Sequence, residues 1–357
     1  MELTFKEFDL NTQIEQHREL FAKCFPEVYN TDPLYVSHYE RTFFHQYHSF
    51  PSSVKSFQYV AMLGDEMVGY YGVLPYTYLI NGQLVQSGMV GGVMTSPNYR
   101  KMGIFVKLGN FASHHQKLSG ASFNHTFPIR KAVMPGFIKK GWDIIFELPL
   151  YIRFLKLNAL LKSKNLSLLM PLLNPIIHLY NFLLKRKDNA DFEVKVFNKT
   201  EHMIGYDDFI NKYYKSVSNT LMKDRAFIQW RYGTPGKEYF FFCAYKGDSL
   251  MGLVSVCSIV REGVPSYGIV DFMVVDKKCL PNLHNAVFTQ AKISQKEAVM
   301  MMMSKTSARK YKLTKNAYLK SPFKFNLIFK NLNQQFSKEE LSNEDNWHLM
   351  FVDSDDL

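Results

Sequence analysis

The stretch GGVMTSPNYRKMGIFVKL, residues 91–108, breaks an apolar run at Thr95-Ser96-Pro97, places Arg100 three positions before Gly103, and then turns apolar again. Alternation before the break predicts a strand, and Ile104, Val106, Leu108 and Phe111 after it fall at helical spacing, so the break is a strand-to-helix loop. Such a loop can do one piece of chemistry without side chains. The first amides of a helix lack carbonyl partners and the helix dipole is positive there, so main chain alone can hold a phosphate. Gly103 lets an anion come close, and Arg100 and Lys101 add charge. No Gly-x-x-x-x-Gly-Lys-Ser/Thr or Gly-x-Gly-x-x-Gly pattern is present, which removes the nucleoside-triphosphatase and dinucleotide readings. Three titratable side chains are candidates for proton transfer. His125, in FNHTF, has the ionisation range for it. Asp271 interrupts the apolar run YGIVDFMVV, where a carboxylate needs a partner or a function; a structural pair with Arg231 competes with a catalytic role. Glu147 is a weaker candidate, with His45, His48 and Trp230.

The elements that must position these groups come from a chain of 357 residues, more than one hydrophobic core usually supports, so two domains are expected. With 46% hydrophobic and 15% aromatic residues the chain is globular, not disordered. Cys24, Cys243, Cys257 and Cys279 have no paired spacing, so neither a metal site nor a disulfide framework is expected. The start MELTFKEFDL lacks a basic segment followed by an apolar one, and the expected location is cytoplasmic. Forty-three Lys and Arg against 32 Asp and Glu give +11, which suits an anionic partner. The basic residues are interspersed among apolar ones rather than blocked together, so nucleic acid is not an expected partner.

Internal similarity organises the chain. YVAMLGDEMVGYYGV (59–73) and FCAYKGDSLMGLVSV (242–256) share Ala-x-x-Gly-Asp-x-x-x-Gly, the pattern of a β-hairpin with a tight Gly-Asp turn. Upstream, RTFFHQYHSFP (41–51) matches RAFIQWRYGTP (225–235), and downstream SGMVGGVMTSP (87–97) matches YGIVDFMVVDK (267–277). After that strand the copies part, because KCLPNLHN has no glycine. Two copies of one α/β unit are therefore expected, with the special loop only in the first. The boundaries read from sequence are 1–150, a leucine-rich helical linker at 151–190, and 191–357. Within the linker, residues 166–184 carry no charge, but Pro171, Pro175 and three polar side chains argue against a spanning helix. Packed helices or a surface-lying amphipathic segment over 151–187, touching the inner face of a membrane, are the alternatives. Met300 to Met303 read as a core strand.

The loop VMTSPNYRKMGIFVKL resembles motif A of the Gcn5-related N-acetyltransferase (GNAT) superfamily, an apolar strand followed by Pro-x-x-Arg-x-x-Gly-Ile. FNHTFPIRKAVMPGFIKKGWDIIFELP (123–149) is similar to the family's fifth strand, next helix and Gly-Phe/Trp ending, here Gly141-Trp142. The resemblance covers residues 1–150 and, more weakly, 200–335. It implies a mixed α/β fold of two tandem GNAT-like domains, the second degenerate. It also implies acetyl-CoA or another acyl-CoA as cofactor, held by Val93, Met94, Thr95, Arg100, Lys101, Met102, Gly103, Ile104, Phe105 and Asn124. The expected activity is N-acyl transfer to an amino sugar, free or carried on a nucleotide or lipid, as in bacterial acyltransferases of surface-polysaccharide synthesis.

Acyl transfer needs a polarised carbonyl, a neutral amine and a path for protons. Backbone amides near Met94 and Thr95 would supply the first, in the manner of an oxyanion hole. Residues 86–95 contain no acid, and the family's helix tyrosine is replaced by Phe137 or a neighbour, so the sequence departs from the pattern where protons must move. His125, Asp271 and Glu147 remain the catalytic candidates, with the second copy expected to bind the acceptor. Two other readings compete: an aminoacyl-tRNA-dependent transferase of the Fem type, and a non-catalytic acyl-CoA-binding protein at the membrane surface.

Overall fold

The computed structural model describes residues 2–26, 43–52, 56–128 and 133–354. The chain folds into two compact units: Met1–Phe146 with Gly233–Gly236 and Leu327–Ser342, and Glu147–Tyr232 with Lys237–Asn326 and Asn343–Leu357.

In the first unit β1 (Leu3–Glu7), β2 (Phe57–Leu63), β3 (Glu66–Ile80), β4 (Gln83–Thr95) and β5 (Phe123–Thr126) lie side by side in that order. The β2–β3 hairpin turns at Gly64-Asp65, with Leu63 opposite Glu66 and Gly64 at φ +60°, the left-handed conformation this turn requires. The β3–β4 pair is antiparallel, whereas β4 and β5 run parallel and need a crossover. Helix α1 (Leu10–Cys24), the helical segment α2 (43–48) and the crossover helix α3 (Ile104–Leu118) flank the sheet, with α4 (Met134–Ile138) following β5. Ile104, Leu108 and Ala112 on one stripe of α3 pack with Tyr59, Ala61, Val68, Tyr71 and Val73 of the sheet, and with Phe137 and Trp142. Each such side chain, fully removed from water, contributes roughly 1.5–3 kcal/mol.

The second unit repeats this layout. β6 (Asp143–Phe154) enters it, and then come α5 (Asn158–Ser163), α6 (Met170–Leu183), β7 (Glu193–Phe197), α7 (Tyr206–Tyr214), β8 (Asn219–Leu221) and α8 (Arg225–Tyr232). The hairpin β9 (Tyr239–Lys246) and β10 (Ser249–Arg261), strand β11 (Val264–Val274), helix α9 (Leu280–Ile293) and β12 (Ala298–Met302) complete the crossover; β11 and β12 are parallel. Met300 to Met303 are buried as expected of a core strand. β13 (Leu319–Asn331) and β14 (Trp347–His348) close the list of strands.

The unit boundaries depart from those read in the sequence, because each sheet ends on a strand from the other half of the chain. In the first unit Ile328–Asn331 of β13 pair antiparallel with Phe123–Thr126 of β5. In the second, Leu150–Phe154 of β6 pair with Ala298–Met302 of β12. Residues 151–154, assigned from sequence to a helical linker, are therefore strand. Each parallel sheet edge would otherwise show unpaired amides and carbonyls, and a strand of either copy satisfies them equally well. No helix among the described residues is long and apolar enough to cross a membrane, residues 166–184 included.

The contact between hairpin and α3 has no slack. A Cβ on Gly69 would lie 2.8 Å from Ile104 Cγ2 and 3.3 Å from Ala61 Cβ. Gly69→Ala is expected to cost about 1–3 kcal/mol by overpacking, read as a lower urea midpoint with an unchanged slope for the transition of the first unit.

Candidate functional site

The site grows from one irregularity in β4. Tyr70 stands opposite Met94 and Gly72 opposite Gly91, so Gly92 and Val93 together face Tyr71, an extra residue that makes a β-bulge. Gly92 takes φ +62°, the left-handed conformation glycine tolerates at such a position. The irregularity thus falls just before Met94 and Thr95, which are in ladder register with Tyr70 and Gly69. On its other edge β4 pairs with β5 only over Ser87–Met89. Beyond Met89 the parallel strands part, while β4 stays on β3 to Thr95. The backbone from Val90 to Thr95 thus borders a wedge between β4 and β5.

At the end of this edge lies the loop. Pro97–Tyr99 form a 3-10 turn whose Tyr99 hydroxyl donates to Glu66 Oε2 at 2.7 Å, tying the turn to the β2–β3 hairpin. That bond, with Lys23 beside it, holds the Glu66 carboxyl below its ordinary range. Lys101 (φ +74°) and Gly103 (φ +71°) both take left-handed conformations around Met102, turning successive amides toward one side. Gly103 then caps α3 without any side-chain hydrogen bond, and the first turn holds no acid. The first intrahelical bond runs from Lys107 N to the Gly103 carbonyl, leaving the amides of Ile104, Phe105 and Val106 without helical acceptors. Arg100, Lys101 and Met102 are exposed, and a Cβ on Gly103 would meet nothing within 4 Å, so the space in front of these amides is open. Ile104 and Phe105 turn their side chains inward, Ile104 against the sheet and Phe105 onto Phe137 at 5.0 Å between ring centres, so only their amides face the loop. From Met67 to Trp142 the sequence contains no Asp or Glu, a run that β3, β4, α3 and β5 all share. Glu66, the first residue of β3, is the one acid on these elements, and it is bonded to the Tyr99 hydroxyl; the run after it holds nothing that repels an anion or could serve as a carboxylate base.

The remaining sequence-predicted residues are placed differently. Asn124 is fully buried, aimed at α3, where a Cβ on Gly88 would lie 2.4 Å from its Oδ1 and 2.8 Å from Gln116 Oε1. It packs inside the unit near Gly88 and Gln116, and neither of its amide atoms has a hydrogen-bond partner. His125 is also buried, with Nδ1 2.8 Å from Ser87 Oγ and Nε2 3.1 Å from Tyr78 Oη. Both ring nitrogens are engaged, because β5 is covered on both faces, and the geometry assigns it to structure rather than to proton transfer. Phe137 is buried against Phe105 and Trp142, so no hydroxyl enters from α4. Glu147 pairs with Lys324 at 2.6 Å on the surface of the second unit, a half-exposed ion pair.

One residue that sequence reasoning passed over stands at the bulge. A Cβ on Gly72 would lie 2.4 Å from the Tyr47 hydroxyl, and one on Gly92 3.3 Å from it. Tyr47 comes from α2, is buried, and leans on Phe43 and Tyr70. The second unit has the counterpart: Tyr232, from α8, places its hydroxyl 2.7 Å from Ser255 Oγ on β10. The repeat gave no signal for it, since in the register of 41–51 against 225–235 Tyr47 aligns with Arg231 and Tyr232 with His48.

The second unit's own bulge is filled. Val256 pairs with Ile269 but Ser255 with Asp271, so Val270 is the extra residue and Asp271 follows it. Asp271 is buried with the ammonium of Lys223, fully buried as well, at 2.8 Å, and His348 Nε2 at 3.4 Å. Lys223, not Arg231, is its partner; an Arg231 Nη instead donates to the Ser354 carbonyl. Burial pushes the Asp271 carboxyl up, but the Lys223 charge and the His348 bond outweigh it and hold the group below its ordinary value. The C-terminal segment that supplies His348 lies against β11 beyond its last residue paired with β12, Ile269. At the start of α9, Asp276 accepts from Lys278 N and Pro281 removes one donor, so the loop amides are spent internally. An anion would meet a carboxylate there.

Residues 10–145 match the family model described as acetyltransferase (GNAT) domain. No curated protein matches the sequence. Among solved structures, the chain is similar to a GCN5-related N-acetyltransferase from Anabaena variabilis ATCC 29413, with TM-score 0.65, 12% identity, and coverage of 93% of this chain and 73% of that one. A conserved protein from Enterococcus faecalis V583, described as a probable N-acyltransferase, has TM-score 0.64, 10% identity, and coverage of 94% and 74%. A GCN5-related N-acetyltransferase from Kribbella flavida has TM-score 0.59, 11% identity, and coverage of 92% and 70%. At these identities the likeness is one of fold.

The filled bulge yields a pH test. Asp353 sits fully buried beside this cluster, and burial raises its carboxyl to about 7, against the pull of Lys223. With its folded pKa above the unfolded value near 3.9, the native state loses stability as pH rises from about 4 to 7 and loses no more beyond. Asp353→Asn is expected to stabilise the second unit at pH 8 by on the order of 2 kcal/mol, with the gain vanishing near pH 4, measured by thermal melts across pH. Asp271 runs the other way: its depressed pKa gives stability above the unfolded value that is lost as pH falls.

Proposed function

We propose that the first unit binds an acyl-CoA and passes its acyl group to an amine, and that the second unit is a copy of the same fold that has lost its loop. The observation that carries this reading is the uncapped start of α3, two left-handed residues and three free amides with no acid in the helix's first turn, at the end of a strand edge that its parallel partner has left open. These residues fit the group. The amides of Ile104 to Val106 suit a pyrophosphate, Arg100 and Lys101 offset its charge, and the open edge of β4 suits an extended arm that takes hydrogen bonds from backbone. A bound acyl-CoA supplies an activated carbonyl; everything else belongs to the chain. The bulge at Gly92-Val93 frees backbone amides that can stabilise charge on the carbonyl oxygen as the amine attacks. The Tyr47 hydroxyl, at Gly92, is the donor we assign to the departing thiolate, in place of a helix tyrosine. The amine loses its proton to water, since Glu66, the one carboxylate on β3, β4, α3 and β5, is taken by the Tyr99 hydroxyl.

For the acceptor we propose an amino sugar carried on a diphosphate, supported by the net charge of +11 and by the resemblance to polysaccharide-associated acyltransferases. The uncapped loop counts against the aminoacyl-tRNA reading, for which an acyl-CoA loop has no use.

Calorimetric titration with acetyl-CoA tests the core of this reading. Micromolar binding is expected for the native chain, weakened about 100-fold by Arg100→Glu with Gly103→Asp, as loss of charge-assisted hydrogen bonds requires. No binding of acetyl-CoA or longer acyl-CoAs would overturn it. Tyr47→Phe is expected to leave acetyl-CoA affinity within about twofold while slowing transfer roughly 100-fold. It should also raise the pH at which bound CoA ionises, read from the ultraviolet absorbance of its thiolate without any acceptor.

A further inference from the structure

Helix α6 is built inside out. Of Met170–Leu183 only Asn181 is buried, while Leu172 (63% exposed), Ile176, Leu179 and Leu183 line one stripe that Leu168, 95% exposed, extends. Phe182, 75% exposed, stands beside it. What holds the helix down is polar. Asn174 Oδ1 accepts from Leu157 N and its Nδ2 donates to Asn158 Oδ1; Asn181 Nδ2 donates to the carbonyls of Phe154 and Ile177, and its Oδ1 accepts from Arg153 Nε. An apolar stripe of this length facing water marks a surface that something covers.

The adjoining pocket indicates what covers it. Arg153, on β6, is 1% exposed, stacks its guanidinium 3.6 Å from the Phe288 ring centre, and has an Nη1 with no partner. Lys292 Nζ lies 4.7 Å from the same ring centre, and Lys185 and His178 stand on the rim. These groups bound a solvent-open pocket of about 990 Å³ whose walls include Leu179 and Phe182 of the exposed stripe and no carboxylate. Burial, then the like charges of Arg153 and Lys185, hold the Lys292 ammonium below its ordinary value, the mark of cations gathered without a counter-ion. From Leu148 to Lys187 the sequence has no Asp or Glu. A buried, unpaired guanidinium is costly unless an anion completes it.

We propose that this pocket binds the phosphate of an anionic phospholipid headgroup, while the Leu168–Leu183 stripe of α6 lies among the acyl chains and seats the second unit on a membrane surface. The fork of Arg153 suits two phosphate oxygens, and Lys292 and Lys185 the remaining charge. Apolar and basic surfaces are contiguous, as a lipid requires and a soluble phosphate does not. The site is independent of acyl transfer.

Flotation of the full chain with phosphatidylcholine vesicles, with and without phosphatidylglycerol, tests this. Binding is expected only with the anionic lipid, falling at least tenfold in Lys185→Glu with Lys292→Glu and in Leu179→Ser with Phe182→Ser, all at exposed positions. Arg153→Lys, which keeps the charge and loses the fork, should weaken binding several-fold while folding is followed by circular dichroism. Equal flotation on neutral vesicles, no flotation, or insensitivity to the Lys185 and Lys292 reversals would overturn the proposal. Stabilisation by inorganic phosphate without vesicle binding would also overturn it, assigning the pocket to a soluble anion. Normal binding by a folded Arg153→Lys would overturn the pocket and leave only diffuse attraction to the surface.

Discussion

Two parallel strands that stay together for three residues and then part are the constraint on which the first unit depends. Ser87–Met89 hold β4 to β5, and beyond them β4 keeps only its β3 partner. A strand edge left open in this way must be satisfied by water, by ligand or by more chain. The crossover helix between the two strands necessarily starts where β4 ends, so the parting also sets a helix N-terminus at the mouth of the wedge. Uncapped helix amides, an exposed backbone edge and a bulge follow from one topological fact. Gly69, packed under Ile104, fixes the distance between them.

The second unit shows the same constraint resolved by more chain. Its parallel pair ends at Ile269, and the C-terminal segment brings His348 to Asp271, with Lys223 completing a buried charged cluster. Removing any one partner would strand the others in a low-dielectric interior, which makes such a cluster hard to vacate for a ligand. Asp276 and Pro281 spend the donors that Ile104 to Val106 keep free in the first unit. The two units share architecture and differ in who occupies the wedge.

The tyrosines at the two bulges argue that the position over Gly72 and Ser255 matters in both settings. In the second unit the hydroxyl meets Ser255; in the first, glycine at the corresponding position lets the Tyr47 hydroxyl come within 2.4 Å of where a Cβ would stand. The polar face of α6 points inward and its leucines outward, so a segment that looks like core by composition is surface by placement.

The hairpins, the strand-to-helix loop and the family resemblance were legible in the sequence because each is set by neighbours within a few residues: a Gly-Asp turn, a break at Pro97, apolar spacing after Gly103. The buried Met300 to Met303 strand was legible for the same reason. The exchange of end strands was not, since β6 and β13 satisfy the same kind of edge and nothing local distinguishes them. Nor could the sequence place His125 or Asn124: in a strand covered on both faces, alternation does not say which side holds a ligand, and Tyr78 and Ser87, which engage His125, lie far away along the chain. Asp271 was recognised as needing a partner, but whether that was Arg231 or Lys223 depended on contacts many residues apart. Local chemistry and periodicity thus determined the elements and the strand-to-helix loop; tertiary structure alone decided which polar groups are spent on each other, because burial and pairing are properties of distance in space.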